Sequence, residues 1–415
     1  MVDRLIGRVS NQALLAAVVV PLVSSVLLVL STPALHANGK LLVAGSLLLS
    51  LGAFGVTRRV IPLAGEKLKP KLNGVDLGKL PRQPPIPQSL GLISGTSFLV
   101  LLVLLQCVAD GGLKPKYDSL MLSVCFSVLL GLADDVMDIR WSHKILVGLL
   151  TTVPLLVKYD GPTSVLVPSG LRPLVQSSPV QAILQVLQVV DSSPDGAVLE
   201  LGVFYLVYVV MLVVFSTNAI NIYAGINGIE VGQSVVIASG MALVDCLELY
   251  WSEPGSSNSQ NHLFSLTVML PFVFTSLALL TENWFPAKVF IGDVFPYYAG
   301  MTFAATAVLG HYSRTLLLLL IPQVANYLYS VPQLFGAVPC PRHRLPKVNP
   351  ETKLLEPSTV SPDSEVANMT LLCLALRVFG PMRERSLTVL LLLAQVACTL
   401  VFGVVGRFVL AKLLF

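Results

Sequence analysis

Asp134 and Asp135 sit side by side at the end of an apolar run from Leu120 to Ala133. Asp138 follows, then Arg140, His143 and Lys144, so the stretch GLADDVMDIRWSHK crowds three acids and three basic groups together. An unpaired charge at bilayer depth is costly, so such groups at the end of an apolar run mark a site. Carboxylates beside a lysine can hold a cation, move a proton or set a phosphate in place.

Further clusters offer complementary chemistry. In NAINIYAGINGIEVGQ, Asn218, Asn221 and Asn227 alternate with Gly225, Gly228 and Gly232. Asn and small residues act as glue between membrane helices, but that use explains one Asn better than three. The alternative is a loop in which glycine lets the backbone approach a ligand and amides bind phosphate, base or metal. In NWFPAKVFIGDVFPYYAG, Asp293 reads equally as a helix cap or as a metal ligand. Phe290, three residues earlier, is either a core aromatic or a platform for a base. In PCPRHRLPKVNPETKLLEPS, Arg342, His343 and Arg344 lie between prolines. A basic patch often only sets topology, yet guanidinium forks suit phosphate oxygens. The Pro-rich stretch NGVDLGKLPRQPPIPQSLG is uninformative alone. Together, acids, amides and guanidinium groups suit a Mg²⁺-bound diphosphate, and a membrane setting suits a lipid reactant.

The elements that must position these groups are apolar. The 415 residues are 54% hydrophobic and 12% charged, with a mean hydropathy of +0.78, which excludes a soluble globule and a disordered chain. Six cysteines show no CxxC spacing, so neither a disulfide framework nor a zinc site is supported. A bilayer-spanning helix needs about 17–25 apolar residues. Candidate spans fall at approximately 41–61, 91–108, 119–137, 145–159, 198–217, 231–250, 263–282, 294–310, 315–334 and 387–411. An apolar run from Ala13 to Leu30 behind Arg4 and Arg8 reads as a signal anchor, with a cleaved signal peptide as the alternative. The expected fold is therefore all-α: a polytopic integral membrane protein with about ten core transmembrane helices plus an N-terminal anchor. Residues 1–40 form the anchor and linker, residues 41–415 the polytopic domain, and 335–386 a functional loop. With a cytosolic N-terminus, 19 of the 27 Lys and Arg residues fall on the cytosolic side, together with every polar cluster above. A transporter should spread its polar groups through mid-span positions, whereas these gather at one face. The sequon Asn368-Met369-Thr370 falls on that same side and is expected to stay unmodified. The apolar stretch Val180 to Val190 is expected to lie along the far membrane surface.

At these motifs the chain resembles the eukaryotic UDP-N-acetylglucosamine–dolichyl-phosphate N-acetylglucosaminephosphotransferases, within the polyprenyl-phosphate N-acetylhexosamine-1-phosphate transferases. ADDVMDIRWSHK, TNAINIYAGINGIEVGQ, VFIGDVFPYYAGM and CPRHRLPK occur in order, and the resemblance runs from about Leu41 to the C-terminus. It implies transfer of N-acetylglucosamine-1-phosphate from UDP-N-acetylglucosamine to dolichyl phosphate, with release of UMP, on the cytosolic face of the endoplasmic reticulum membrane. It implies Mg²⁺ at Asn221 and Asp293, and Lys144 at the acceptor phosphate beside Val214–Ile222, the segment that carries Asn218. Asn227 would read uracil, with Phe290 stacked on it and Gly225 close by. Asp76, Leu77 and Gln88 would contact the nucleoside, and Arg342, His343 and Arg344 the diphosphate and sugar. Asp134 and Asp135 would be essential, either orienting Lys144 or, in a competing mechanism, with Asp134 as nucleophile or base. Inhibition by tunicamycin is implied; no nucleic acid is, and a homodimer is left open. Ser142 and Gln88 depart from the residues usual at their positions, and the N-terminal run has no firm counterpart. A bacterial-type transferase using undecaprenyl phosphate is the alternative.

Overall fold

Without water in the bilayer core, an apolar segment can satisfy its backbone groups internally only as a helix, and this chain does so repeatedly. In a computed structural model, the described residues are all except 1–2, 4–5, 8, 34, 77–83, 168, 188, 192–197, 342–343, 362–363, 365 and 410–415, and the side chains at 141, 142, 145, 147, 183, 190 and 191. The helices are α1 (Asn11–Ser31), α2 (Ala37–Leu68), α3 (Gly91–Val108), α4 (Lys114–Met137), α5 (Trp141–Thr151), α6 (Val153–Val157), α7 (Arg172–Val175) and α8 (Ser178–Val186). They continue with α9 (Val203–Ile222), α10 (Ile229–Trp251), α11 (Ser257–Asn283), α12 (Val294–Leu309), α13 (Ser313–Leu319), α14 (Ile321–Leu334), α15 (Leu371–Phe379) and α16 (Glu384–Cys398). A π-helical stretch, Thr399–Val405, prolongs α16.

Among the described residues, eight helices are long and apolar enough to cross a membrane, and α13 with α14, bent by 68°, make a ninth. The two remaining expected spans are helical but short: α12, and the segment around 145–159, which breaks at Thr152 between α5 and α6. Proline inside a span is tolerated where a side chain re-satisfies the backbone. Pro271 of α11 leaves Thr267 O without its helical donor, and Ser46 Oγ of α2 donates to that carbonyl at 3.2 Å.

The most apolar stretch of α11 is 94% buried and that of α1 only 17%, so α11 is central and α1 peripheral. Helix α12 is buried at every position. Glycines let its neighbours approach it backbone to backbone. A Cβ on Gly131 of α4 would meet the Val294 backbone, and one on Gly91 of α3 would meet Ile291 O and Phe295 N. Gly300 of α12 itself meets Thr217 of α9 in the same way. These contacts fix α3, α4 and α9 against the first half of α12.

Three small antiparallel sheets were not expected from the sequence. Strands β1 (Asn73–Gly74) and β2 (Ile86–Pro87) pair between α2 and α3. Strands β3 (Ser164–Leu166), β4 (Val190–Asp191) and β5 (Val198–Glu200) form a sheet in the order β3-β5-β4. Strands β6 (Lys347–Val348) and β7 (Leu355–Glu356) pair in the loop before α15. The apolar stretch after Val180 is helical only to Val186, and Val190 belongs to β4.

One expectation needs amending. Polar groups do gather at one end of the bundle, but α10, α11 and the C-terminal helix carry a second set, buried at Asp245 and His262 and half-buried at Glu248 and Arg407. His262 Nδ1 lies 2.7 Å from Asp245 Oδ1, and Arg407 Nε donates to Glu248 Oε1 at 2.7 Å. Spacing hid it, because each partner sits on a different helix.

Candidate active site

Helix α4 stops at Asp138, whose left-handed backbone (φ 49°) closes the last turn by donating its N–H to Asp134 O at 2.9 Å. The reversal brings the start of α5 back over the end of α4. Lys144 Nζ then lies 2.6 Å from Asp134 Oδ2 and 3.4 Å from Asp293 Oδ2. Tyr297 Oη and Ile139 N–H also donate to Asp134, at 3.4 and 3.2 Å, and its side chain is 1% exposed. Burial alone would lower the Lys144 pKa, but the Asp134 and Asp293 carboxylates outweigh it and hold the pKa above the ordinary lysine value. Lys144 is a fixed cation.

Asp135 works on the other side of the same helix end. It accepts hydrogen bonds from Ser89 Oγ at 2.7 Å and from the Asp293 N–H at 2.9 Å. A carboxylate at a helix N-terminus satisfies an orphan donor and meets the positive end of the helix dipole. Asp293, thus seated at the start of α12, accepts from Asn221 Nδ2 at 3.2 Å. Asn218 lies one turn earlier on α9, and its amide donates back to Val214 O at 2.8 Å.

Asn221 and Asp293 line a cavity of about 250 Å³. On its far side Asn227 Nδ2 donates to Asp76 Oδ2 at 3.1 Å, and the Asn227 N–H donates to Glu384 Oε1 at 2.7 Å. Phe290 forms part of the wall and is held as an added strand residue: its N–H donates to Pro87 O at 2.8 Å, and its carbonyl accepts from Leu90 N–H at 3.0 Å. Gly225 adopts φ 116°, and a Cβ there would run into Leu345 at 2.5 Å, so only glycine fits. Glu230, on the first turn of α10, lines the cavity and accepts from the Gly225 N–H at 3.4 Å.

The structure thus brings Asp76, Asn221, Gly225, Asn227, Phe290 and Asp293 around one cavity, with Lys144, Asp134 and Asp135 joined to it through Asp293 rather than lining it. Gln88 stands behind β1, its N–H donating to Leu72 O at 3.1 Å, and is not among the residues lining the cavity. Arg344 is turned into the scaffold: Nη2 donates to Ser330 Oγ and to Met369 O, both at 2.7 Å. Burial lowers its pKa from the ordinary arginine value. Leu77, Arg342 and His343 lie outside the described residues. Sequence reading passed over Glu230, Glu384, Tyr297 and Ser89. An acid in a first helical turn looks like a routine dipole partner, and only the pairing across 157 positions marks Glu384.

Among the described residues no group of three or more His, Cys, Asp or Glu converges to hold a metal. Mg²⁺ is commonly bound by one or two carboxylates together with substrate phosphates. Asp293, the Asn221 amide oxygen and Glu230 supply such hard donors to one cavity, so the set fits a Mg²⁺ that arrives with a diphosphate.

A bundle of membrane-spanning helices with an acid-and-amide cleft at one end defines a class of membrane-embedded transferase, and residues 118–311 match the family described as glycosyl transferase family 4. The chain is 42% identical over 378 residues to the UDP-N-acetylglucosamine–dolichyl-phosphate N-acetylglucosaminephosphotransferase of Dictyostelium discoideum, covering 86% of this chain and 87% of that one. Proteins of the same name from Saccharomyces cerevisiae and Schizosaccharomyces pombe are 34% and 33% identical, over 89% and 88% of this chain and 93% and 92% of theirs. The chain belongs to the family of UDP-N-acetylglucosamine–dolichyl-phosphate N-acetylglucosaminephosphotransferases.

Proposed function

We propose that the protein transfers N-acetylglucosamine-1-phosphate from UDP-N-acetylglucosamine to dolichyl phosphate, giving dolichyl-diphosphate-N-acetylglucosamine and UMP. The reaction takes place at the cytosolic face of the endoplasmic reticulum membrane and opens lipid-linked oligosaccharide synthesis for protein N-glycosylation. The relatives' names support the donor and the acceptor. The observation that carries the reading is the Lys144 cation fixed between Asp134 and Asp293 beside a cleft whose other wall is Asp76, Asn227 and Phe290. One end suits a phosphate, the other a base.

The nucleoside seats against Phe290 and Asn227, with Gly225 admitting close approach. Lys144 holds the acceptor phosphate. That phosphate is already ionised near neutral pH, so its oxygen attacks the β-phosphorus once positioned and neutralised, and UMP leaves. Asn221 and Asp293, with Glu230 at hand, would hold Mg²⁺, which would neutralise charge on the donor diphosphate. Asp134 orients Lys144, and Asp135 seats Asp293 at the start of α12. A 1% exposed Asp134 side chain engaged by Lys144 and Tyr297 supports direct attack over a covalent aspartyl intermediate.

The test is UMP release by purified protein with both substrates, each alone, and undecaprenyl phosphate in place of dolichyl phosphate. Release should need both UDP-N-acetylglucosamine and a polyprenyl phosphate. A strong preference for undecaprenyl phosphate would overturn the acceptor assignment.

A further inference from the structure

Helix α14 presents Gln323, Asn326, Ser330 and Gln333 on one face, at helical spacing, and buries all four: 0% exposed for the first three and 2% for the last. Buried amides and hydroxyls are costly unless paired. Apart from Gln323 Oε1, which no donor reaches among the described residues, these groups are paired: Gln323 Nε2 donates to Gln395 Oε1 of α16 at 2.7 Å, and the remaining bonds run in two further directions.

Toward α9, Gln323 Nε2 donates to Gln233 Oε1 at 2.7 Å, and Gln233 Nε2 donates to Tyr223 O at 2.8 Å. Asn326 Nδ2 donates to Ile222 O at 3.3 Å. Those carbonyls end α9, where intrahelical donors run out, and they follow directly on Asn221. Toward the loop before α15, Asn326 Oδ1 accepts from the Leu371 N–H at 2.9 Å. Ser330 Oγ donates to Met369 O at 2.8 Å and accepts from Arg344 Nη2 at 2.7 Å. Gln333 donates to Ala367 O and Pro339 O at 2.9 and 3.2 Å and accepts from the Met369 N–H at 2.8 Å. Asn326 alone bridges both sides.

We propose that this stripe is a positioning frame for the reaction. It sets the end of α9 that carries Asn221 against the segment in which Arg344 is anchored and Leu345 lines the cavity, so that the two walls meet the donor at one fixed separation. Helix glue would pair side chains between spans; most of these bonds go instead to backbone groups at the ends of the two functional segments. The inference rests on the proposed transfer reaction for its kinetic consequences but not for its structural ones.

The test uses full-length protein in detergent, with saturating dolichyl phosphate, varied UDP-N-acetylglucosamine and a Tm for each variant. Gln333→Leu and Ser330→Ala release only the loop, so the donor KM should rise about ten-fold with kcat within about two-fold. Asn326→Leu releases both sides, so KM should rise and kcat fall, each by about ten-fold. The KM of Asn326→Leu with Arg344→Ala should match that of Arg344→Ala alone, because both act through one loop. Unchanged kinetics in a folded variant, kcat losses that merely track Tm at constant KM, or independent effects in the double variant would overturn the frame. Limited proteolysis needs no activity: cleavage within 335–361 should rise several-fold in Gln333→Leu and, where it folds, in Asn326→Leu. Unchanged cleavage overturns the frame even if wild-type protein releases no UMP, an outcome that would sink the assigned reaction instead.

Discussion

The pairing of Lys144 with two carboxylates makes residue-level consequences sharp. Asp134 is almost wholly enclosed and touches Lys144, so Asp134→Asn should lower kcat on the order of 10²-fold while donor KM moves little. Kinetics at varied UDP-N-acetylglucosamine check this, and an unchanged kcat would make the carboxylate structural. Lys144 has a raised pKa, so its charge-dependent contribution is fully present below the ordinary value of 10.5 and is lost only as pH rises beyond it. The pH–rate profile should therefore show no Lys144 limb between roughly pH 6 and 9, whereas a basic limb there that Lys144→Arg displaces would contradict the assignment. The residue types were legible in the sequence because charges are rare in so apolar a chain. The division of labour was not. Nothing in the string ADD shows that one acid faces a lysine and the next caps a helix 158 positions away.

At the scale of elements, the site is held by helix ends converging on α12. Gly131→Ala would push a methyl group into the Val294 backbone, so it should destabilise the protein by about 1–3 kcal/mol and lower Tm. Differential scanning fluorimetry in detergent reads this, and an unaltered Tm would show that α4 and α12 pack more loosely than described. Gly225→Ala combines a clash at Leu345 with a left-handed backbone and should cost activity before stability, since the loop borders the cavity. Hydropathy located every described helix long enough to cross a membrane, because long apolar runs admit no other solution, but not the short helix α15 in the loop it assigned to 335–386. It could not foresee the 68° bend between α13 and α14, nor the buried partners Gln233, Gln323 and Gln395. Those depend on which helices become neighbours. The N-terminal run, assigned only an anchoring task from its sequence, meets the active end directly: Trp284 Nε1 and Arg385 Nη2 both donate to Asn11 Oδ1, at 3.1 and 2.9 Å.

Across the whole molecule, the bundle collects the site's chemistry at one end, and the proposed threading, with this end in the cytosol, would put Asn368 there as well. Asn368 is fully buried, and Thr370 Oγ1 caps α15 by accepting from the Cys373 N–H at 3.2 Å, so this sequon serves structure. Glycosidase treatment should leave the mass of the protein unchanged, and a glycan on Asn368 would overturn both the burial and the topology. The central claim is that the Asp134–Lys144–Asp293–Asn221 cluster carries out the transfer. Its most direct test is the Mg²⁺-dependent formation of dolichyl-diphosphate-N-acetylglucosamine, followed by mass spectrometry, in wild-type protein and in Asp293→Ala of equal Tm. The wild type should form product, and Asp293→Ala should lose nearly all of it, a drop of at least about 10³-fold. Product formed by Asp293→Ala at a rate near that of the wild type would remove Asp293, and the cleft around it, from the reaction.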